Sequence, residues 1–441
     1  MRVLATGGTG YIGGRLVPRL LRRGHTVRVL ARNPDRLAHR PWTDRVELIQ
    51  GDLLKPETLV DAFTDIDAAY FLVHSMYEGT DFAKRDRNAT INFCQAASGI
   101  SHVIYLGGLQ PERKILSRHL HSRAEIGRIL SLHLPTTELR AGPIIGSGSA
   151  SFEMVRYLCE RLPMMIAPHW VKNEIQPIAI RDVMAYLIAA LECGPNEIVE
   201  IGGDRLTYQQ MMLKYSRVRG LRRAILTVPP VLPASIGARF IGLTTPIPNR
   251  LAIPLVEGMT QPLVVKNDRA KDLFPEVKPI SYEKAVKLAL RRIQEQAVET
   301  RWSGTTNDEP TYEHQDLRGL IREVRSLHIE ASPDAVFRAF SSLGGERGWL
   351  TWNWAWRVRG FLDRLMGGPG LQRGRRDPQD LHAGEVVDFW RVERIKPAYL
   401  LRLRGEMKIP GLAWLQWEAN PERGGTRLTQ TAGFVPRGLF G

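Results

Sequence analysis

The chain runs to 441 residues and carries 61 Lys+Arg against 46 Asp+Glu, a formal net charge of +15. At roughly 150 residues per domain this makes two or three domains, and 43% apolar with 24% charged residues excludes wholesale disorder. No run of about 18 uncharged apolar residues is present and no basic-then-apolar leader follows Met1, so a cytoplasmic protein is expected, with membrane association as the alternative. Cys94, Cys159 and Cys193 are far apart and lack a CxxC partner. That pattern argues against a disulfide framework or a zinc site and predicts small buried apolar residues. The positive charge is mostly Arg and is dispersed along the chain. Zinc-finger spacing and aromatic-basic motifs are absent, so nucleic acid is not an expected partner. A solvated basic surface is expected, with attraction to anionic lipid or phosphate-bearing ligands as the alternative.

In chain order, Arg2–Thr6 is a β-branched run followed by glycines, and Tyr11–Arg23 has a helical pattern ended by Gly24. Strands are predicted at Thr26–Ala31, Val46–Gln50, Ala68–Val73, Val103–Leu106 and Thr137–Ile145. Helices are predicted at Glu57–Phe63, Asp81–Ala97 and Ser122–Leu132. Such alternation predicts right-handed βαβ units in a parallel sheet covered on both faces. From about 146 to 298 the pattern is more helical, with helices at Ser151–Leu162, Arg181–Leu191 and Ser281–Arg292, as in a substrate portion built onto the sheet. Ile225–Ile247 is its most apolar stretch, broken by Pro229, Pro230, Pro233 and Arg239. Residues 299–315 are polar and form a predicted linker. Seven of the ten tryptophans lie after residue 340. There Ser332 is the expected N-cap of a helix over Ala335–Phe340, with Pro333 in its first turn. Val386–Trp390, Leu400–Met407, Ala413–Ala419 and Thr426–Ala432 alternate as antiparallel strands do, and Pro421–Gly425 is the expected hairpin turn.

Thr6-Gly7-Gly8-Thr9-Gly10-Tyr11-Ile12-Gly13 contains GxGxxG between a predicted strand and a predicted helix, the context a dinucleotide site requires. Glycines let the backbone approach a pyrophosphate, and the helix N-terminus offers free N–H groups. At the end of the second strand an Asp or Glu would bind a ribose 2′-hydroxyl, but the chain has Arg32. A cation suits a 2′-phosphate, so NADP(H) is favoured over NAD(H). Asp52, followed by Leu53, is placed to meet the adenine amino group.

At these residues the chain resembles the atypical, extended short-chain dehydrogenase/reductases near the NmrA-like proteins. The segments Tyr70–Met76, Tyr105–Leu109, Leu139–Gly148 and Ile175–Ile178 look more closely like the YbjT-type NAD(P)-binding proteins. The C-terminal part is similar to the START/polyketide-cyclase helix-grip domains fused to them, a curved sheet gripping a long helix around an apolar cavity. The resemblance implies a Rossmann-type doubly wound domain over 1–298 and a helix-grip-like α+β domain over 316–441. It also implies a proton-transferring Tyr-x-x-x-Lys pair with a Ser at the end of the fifth strand. Here His119 falls at the Tyr position, Arg123 at the Lys position and Gly107 or Gly108 at the Ser position, so the usual relay is absent or rebuilt. The chain stops at Leu439-Phe440-Gly441 where that fold continues into its long helix, so a fragment or a partly open cavity is expected.

His74 and Ser75 follow the fourth strand, where a nicotinamide ribose would lie; a helix cap and a satisfied histidine are the alternative. Arg140 follows from the sixth strand as a substrate contact or a structural ion pair. Trp349, Trp352, Trp354 and Trp356 line a ligand cavity or fill the core. His119 and His121 lack carboxylate or thiol partners at ligand spacing, so no metal is expected. Three functions compete: an NADP(H)-dependent oxidoreductase acting on a hydrophobic small molecule, a non-catalytic NAD(P)-binding redox sensor, and a membrane-surface lipid-handling protein. Oligomeric state is left open.

Overall fold

The computed structural model describes residues 1–37, 40–74, 82–111, 117–196, 198–228, 249–295, 298–300, 321–345, 347–349, 353–365, 370, 375, 377, 380–407 and 411–436. It divides into two compact units, Met1–Thr244 with Asn249–Thr305, and Thr245–Pro248 with Thr306–Gly441.

The first unit contains β1 (Arg2–Thr6), α1 (Gly13–Arg22), β2 (Thr26–Ala31), β3 (Glu47–Gln50), β4 (Ala68–Phe71), α2 (Phe82–Ala96), β5 (His102–Gly108), α3 (Arg118–His133) and β6 (Thr136–Ala141). It continues through β7 (Ile144–Ile145), α4 (Ala150–Arg161), β8 (Met164–Pro168), β9 (Glu174–Ile175), β10 (Ile178–Ala179), α5 (Ile180–Cys193), β11 (Ile198–Ile201), β12 (Leu206–Thr207), α6 (Tyr208–Val218), β13 (Ala224–Val228), α7 (Asn249–Met259), α8 (Arg269–Leu273) and α9 (Tyr282–Gln294). Seven strands form one parallel sheet in the order β11-β6-β5-β4-β1-β2-β3. This is the doubly wound order. Its chain reversal falls between β1 and β4, the point at whose carboxyl ends doubly wound sheets form their ligand crevice.

Parallel strands bury both faces, so these strands read as nearly continuous apolar runs. Val3 and Ala5 of β1 pack with Leu16, Leu20 and Leu187 on one side. Leu4 joins Ala69, Phe71, Phe93 and Leu130 on the other. A further core, around Phe152, Tyr215, Ile175 and Val286, belongs to the more helical portion.

Most predicted elements lie within a few residues of the observed ones, and the departures have physical causes. The predicted helix at Glu57–Phe63 is a pair of 3₁₀ turns, Pro56–Thr58 and Val60–Phe63; the Thr58 hydroxyl is spent on backbone at Asp52 and Lys55. The predicted sixth strand breaks at Gly142-Pro143, because Gly142 packs on the Gln176 carbonyl and β7 pairs with β10 instead. The N-cap Ser117 starts α3 four residues early, and this puts His119 on the helix. Thr300, expected in the linker, is buried: its hydroxyl accepts from Arg15 Nε (2.8 Å) and donates to the Tyr11 carbonyl (2.9 Å). Of Ile225–Ile247, Ile225–Val228 belongs to β13 and the rest lies outside the described residues. Cys94 and Cys159 are buried as expected, but Cys193 is exposed at the end of α5.

The second unit contains β14 (Ile321–Ile329), α10 (Pro333–Ser341), α11 (Asn353–Leu365), β15 (Val386–Val387), β16 (Trp390–Lys396), β17 (Leu400–Gly405), β18 (Gly411–Glu422) and β19 (Gly425–Pro436). Its strands form one antiparallel sheet, β14-β19-β18-β17-β16-β15. Ser332 caps α10 as expected, its hydroxyl accepting from the Ala335 N–H. The hairpin turn is tighter than predicted: Pro421 still pairs with Thr426, and Glu422 with Gly425. Trp349, Trp356, Phe389 and Trp390 pack on one another, so these tryptophans build the core. Trp354 is 70% exposed, and Trp352 lies outside the described residues. The two helices α10 and α11 lie between β14 and β15 in the chain.

Candidate functional site

The glycine-rich turn links β1 to α1 at the chain-reversal point. Gly7 has φ +71°, and a Cβ there would stand 2.7 Å from the Leu72 carbonyl oxygen. A Cβ on Gly13 would meet the Gly7 carbonyl, and one on Gly8 would stand 2.5 Å from Val29 Cγ1. The Gly10 N–H donates to the Gly7 carbonyl at 2.9 Å. The first turn of α1 has no side-chain cap at Ile12 and no acidic residue, which leaves its N–H groups and partial positive charge for an anion. These residues fit a dinucleotide pyrophosphate. Thr6 Oγ1 donates to the Tyr70 carbonyl (2.9 Å) and accepts from the Leu72 N–H (3.1 Å), fixing this turn to β4.

The flanking residues are mixed. Tyr11 lies under the Arg15 guanidinium (4.7 Å), and burial pushes its phenol up to about 12. Ile12 packs on the core. Arg32 stands directly after β2, with Arg36 one turn further in Pro34–Leu37 and Asp35 exposed between them. Asp52 Oδ1 accepts from the Leu54 N–H (3.0 Å) and shapes its own loop. Leu53 is a core side chain beside Leu4 and Phe71, and only its carbonyl is used, accepting from Asn92 (2.8 Å). Ser75 lies outside the described residues.

On the other side of the crevice three elements converge. His74 follows β4, Asp86 comes from α2 and His119 from the first turn of α3. His74 Nδ1 is 2.7 Å from Asp86 Oδ2, and His74 Nε2 is 3.1 Å from His119 Nδ1. Ser122 Oγ donates to the same Asp86 oxygen at 3.3 Å. Asp86, His119 and Ser122 are all buried. Burial, helped by the neighbouring His74 and Arg123, holds His119 well below the usual imidazole range. Arg123 Nη2 donates to the Leu106 carbonyl (2.5 Å), and the Tyr105 hydroxyl donates to the Arg123 carbonyl (3.2 Å).

The candidates His74, His119 and Arg123 lie together here, with Asp86, which was not a candidate, among them. That residue sits in the charged string Lys84-Arg85-Asp86-Arg87, which looks like a solvated face. The signal was its phase: Phe82, Asp86, Ala89 and Phe93 share the buried stripe of α2. Arg140 is committed elsewhere as the ion-pair alternative had it, with Nε and Nη2 donating to Glu138 at 2.9 and 3.1 Å.

Residues 7–131 match the family model described as NAD(P)H-binding, and residues 319–441 match one described as "Protein of unknown function (DUF2867)". Over 69 residues the chain is 41% identical to a Mycobacterium tuberculosis 3 beta-hydroxysteroid dehydrogenase/Delta 5-->4-isomerase, covering 16% of this chain but only 18% of that protein. Over 266 residues it is 24% identical to a Synechocystis sp. protein named "Putative dihydroflavonol 4-reductase", covering 52% of this chain and 75% of that one. The fold matches a Thermotoga maritima UDP-glucose 4-epimerase (TM-score 0.51, 17% identity, 67% of this chain and 99% of that one). It also matches a Staphylococcus aureus nucleoside-diphosphate-sugar epimerase (TM-score 0.53, 18% identity, 65% and 100%). The first unit thus has the Rossmann fold of those structures, and its residues 7–131 match the NAD(P)H-binding model.

Proposed function

We propose that the protein is an NADP(H)-dependent oxidoreductase acting on a hydrophobic small molecule. What carries this is the juxtaposition of a glycine cradle for the pyrophosphate after β1 and, after β4, a hydrogen-bonded pair of histidines, His119 buried and His74 half-buried, where the reductases keep their proton donor. Arg32 and Arg36 at the end of β2 support the preference for a 2′-phosphate. The cofactor supplies hydride chemistry, so the protein need only position the substrate and handle a proton. The hydroxysteroid and dihydroflavonol in the relatives' names are hydrophobic small molecules of this kind. The test follows NADPH absorbance with a panel of quinones, enones and hydrophobic ketones. Substrate-dependent oxidation supports the enzyme. Nucleotide binding with no oxidation across the panel favours the redox-sensor alternative.

A second reading, contact with a membrane surface, is favoured by one observation. Trp354, Val358, Phe361 and Leu362 are all more than half exposed and lie at helical spacing on one face of α11, which carries three arginines in thirteen residues. An apolar face with Trp and Phe on an Arg-bearing helix suits the headgroup region of an anionic bilayer, and the net charge of +15 has the complementary sign. Among the described residues no helix is long and apolar enough to cross a membrane.

A further inference from the structure

We propose that Asp86, His74 and His119 form a directional proton relay, in which His119 Nε2 exchanges a proton with the substrate oxygen and His74, held by Asp86, carries the resulting charge. The proposal rests on the redox reading of the same site and gives it a proton path to replace the missing tyrosine and lysine.

The tautomers follow from the order of the chain. An ionised carboxylate only accepts hydrogen bonds. The nitrogen facing Asp86 Oδ2, His74 Nδ1 at 2.7 Å, therefore carries the hydrogen. A neutral His74 then has its lone pair at Nε2. His119 Nδ1, 3.1 Å from that lone pair, must donate to it. A neutral His119 is left with its lone pair at Nε2, which has no hydrogen bond to any described residue. Each ring is thus held in one tautomer, and the outer end of the chain is a base.

The chemistry balances. A bound nicotinamide would supply the hydride acceptor for the substrate's carbinol carbon, which would lose two electrons to it. The hydroxyl proton bonds to His119 Nε2. The proton on His119 Nδ1 passes to His74 Nε2, and the imidazolium so formed at His74 keeps its Nδ1–H on the Asp86 carboxylate. Carbonyl reduction runs the same transfers backwards. The charge therefore settles beside a carboxylate, while His119, in a buried site next to the Arg123 guanidinium, stays neutral in both end states. Among the described residues, Arg123 of α3 and Tyr105 of β5 are other charged or titratable groups at this site. From α7 it is Gly258 that lies against α3, beside Leu120. His119 is the catalytic residue; His74 and Asp86 are positioning residues that act through it.

The test is a long-range ¹H–¹⁵N spectrum of the full chain labelled at its histidine ring nitrogens, with signals assigned from single His74→Gln and His119→Gln variants. The expected result is Nδ1–H with a bare Nε2 on both rings at neutral pH. On acidification the charge should appear on His74 rather than His119. Asp86→Asn should move the His74 Nδ1 proton upfield. The wild-type tautomers decide the matter even where that variant does not fold. Adding NADP⁺ should shift His119 Nε2, and 2′-phospho-ADP-ribose, which lacks the nicotinamide, should not. An Nε2–H tautomer at His119, or protonation of His119 ahead of His74, would overturn the relay. Equal responses to the two nucleotides would overturn its placement at the reaction centre. If neither nucleotide perturbs the spectrum, the redox reading fails, and the tautomers report separately on the hydrogen-bond chain.

Discussion

The carboxylate of Glu138 occupies the place a side chain at position 107 would need: a Cβ on Gly107 would stand 2.6 Å from Glu138 Oε1. A Cβ on Gly127 of α3 would meet the same carboxylate. At Gly108 the nearest atom is Leu120 Cδ2 at 3.6 Å, an ordinary contact. The serine expected at the end of the fifth strand is thus excluded at 107 by a buried acid and sterically allowed at 108. Gly107→Ser should cost about 1–3 kcal/mol of stability by overpacking, while Gly108→Ser should leave the urea midpoint of the first unit nearly unchanged. Equal losses at the two positions would contradict this.

Glu138 survives in the interior because Arg140 binds it through two hydrogen bonds, and burial still pushes its carboxyl above the usual range. Arg140→Met removes that ion pair from a buried carboxylate and should cost roughly 3–5 kcal/mol. Adding Glu138→Gln should recover much of the loss. Denaturation of the single and double variants checks both. Loss of dinucleotide affinity without loss of stability in Arg140→Met would instead restore the substrate-side role that the sequence suggested.

NADPH differs from NADH by the 2′-phosphate, the group that the proposed role pairs with Arg32. Arg32→Asp should therefore weaken NADPH by roughly 10- to 100-fold, the worth of one charge-assisted hydrogen bond, and leave NADH within a few-fold. Parallel calorimetric titrations measure the ratio, and an equal loss for both nucleotides would remove Arg32 from the 2′-phosphate site.

Acid should unfold the first unit in a defined window. Burial lowers His102 from 6.5 to about 4, and His119 is shifted in the same direction. Below pH 6.5 the unfolded chain takes up protons that the folded chain refuses, so stability falls as pH falls from 6.5 to 4. For His102 the full effect is about 3 kcal/mol, at ~1.4 kcal/mol per unit. His102→Gln, which can keep the hydrogen bond to Thr137, should flatten that slope in denaturation measured at several pH values. An unchanged slope would show that His102 charges freely in the fold.

The exposed stripe of α11 predicts sedimentation with vesicles containing phosphatidylserine at low salt, and less at high salt. Trp354→Asp with Phe361→Asp should leave the protein in the supernatant. Full recovery of the unaltered protein in the supernatant at low salt would end the membrane reading.

The sheet was legible because strands such as β1, β2 and β4 of a covered parallel sheet are apolar runs, and the glycine turn because a Cβ at Gly7 would meet the Leu72 carbonyl. Elements that owe their form to distant partners were not. Ile144–Ile145 leaves the sheet because Gly142 meets Gln176, and Thr300 is buried because Arg15 reaches it from α1. The site was half legible. His74, His119 and Arg123 could be placed from strand ends and helix spacing. Asp86 could not, because a buried acid inside a charged string is recognised only once the phase of its helix is known. Leu53 was the reverse case, a residue beside a plausible contact that simply fills the core.

The most direct single measurement is calorimetric titration of NADPH and NADH into the unaltered chain and into Gly7→Ala, whose added methyl would collide with the Leu72 carbonyl. Binding that favours NADPH in the unaltered chain and is lost in a folded Gly7→Ala is the predicted result. Failure of the unaltered chain to bind either dinucleotide would contradict the assignment of this crevice as a nucleotide site.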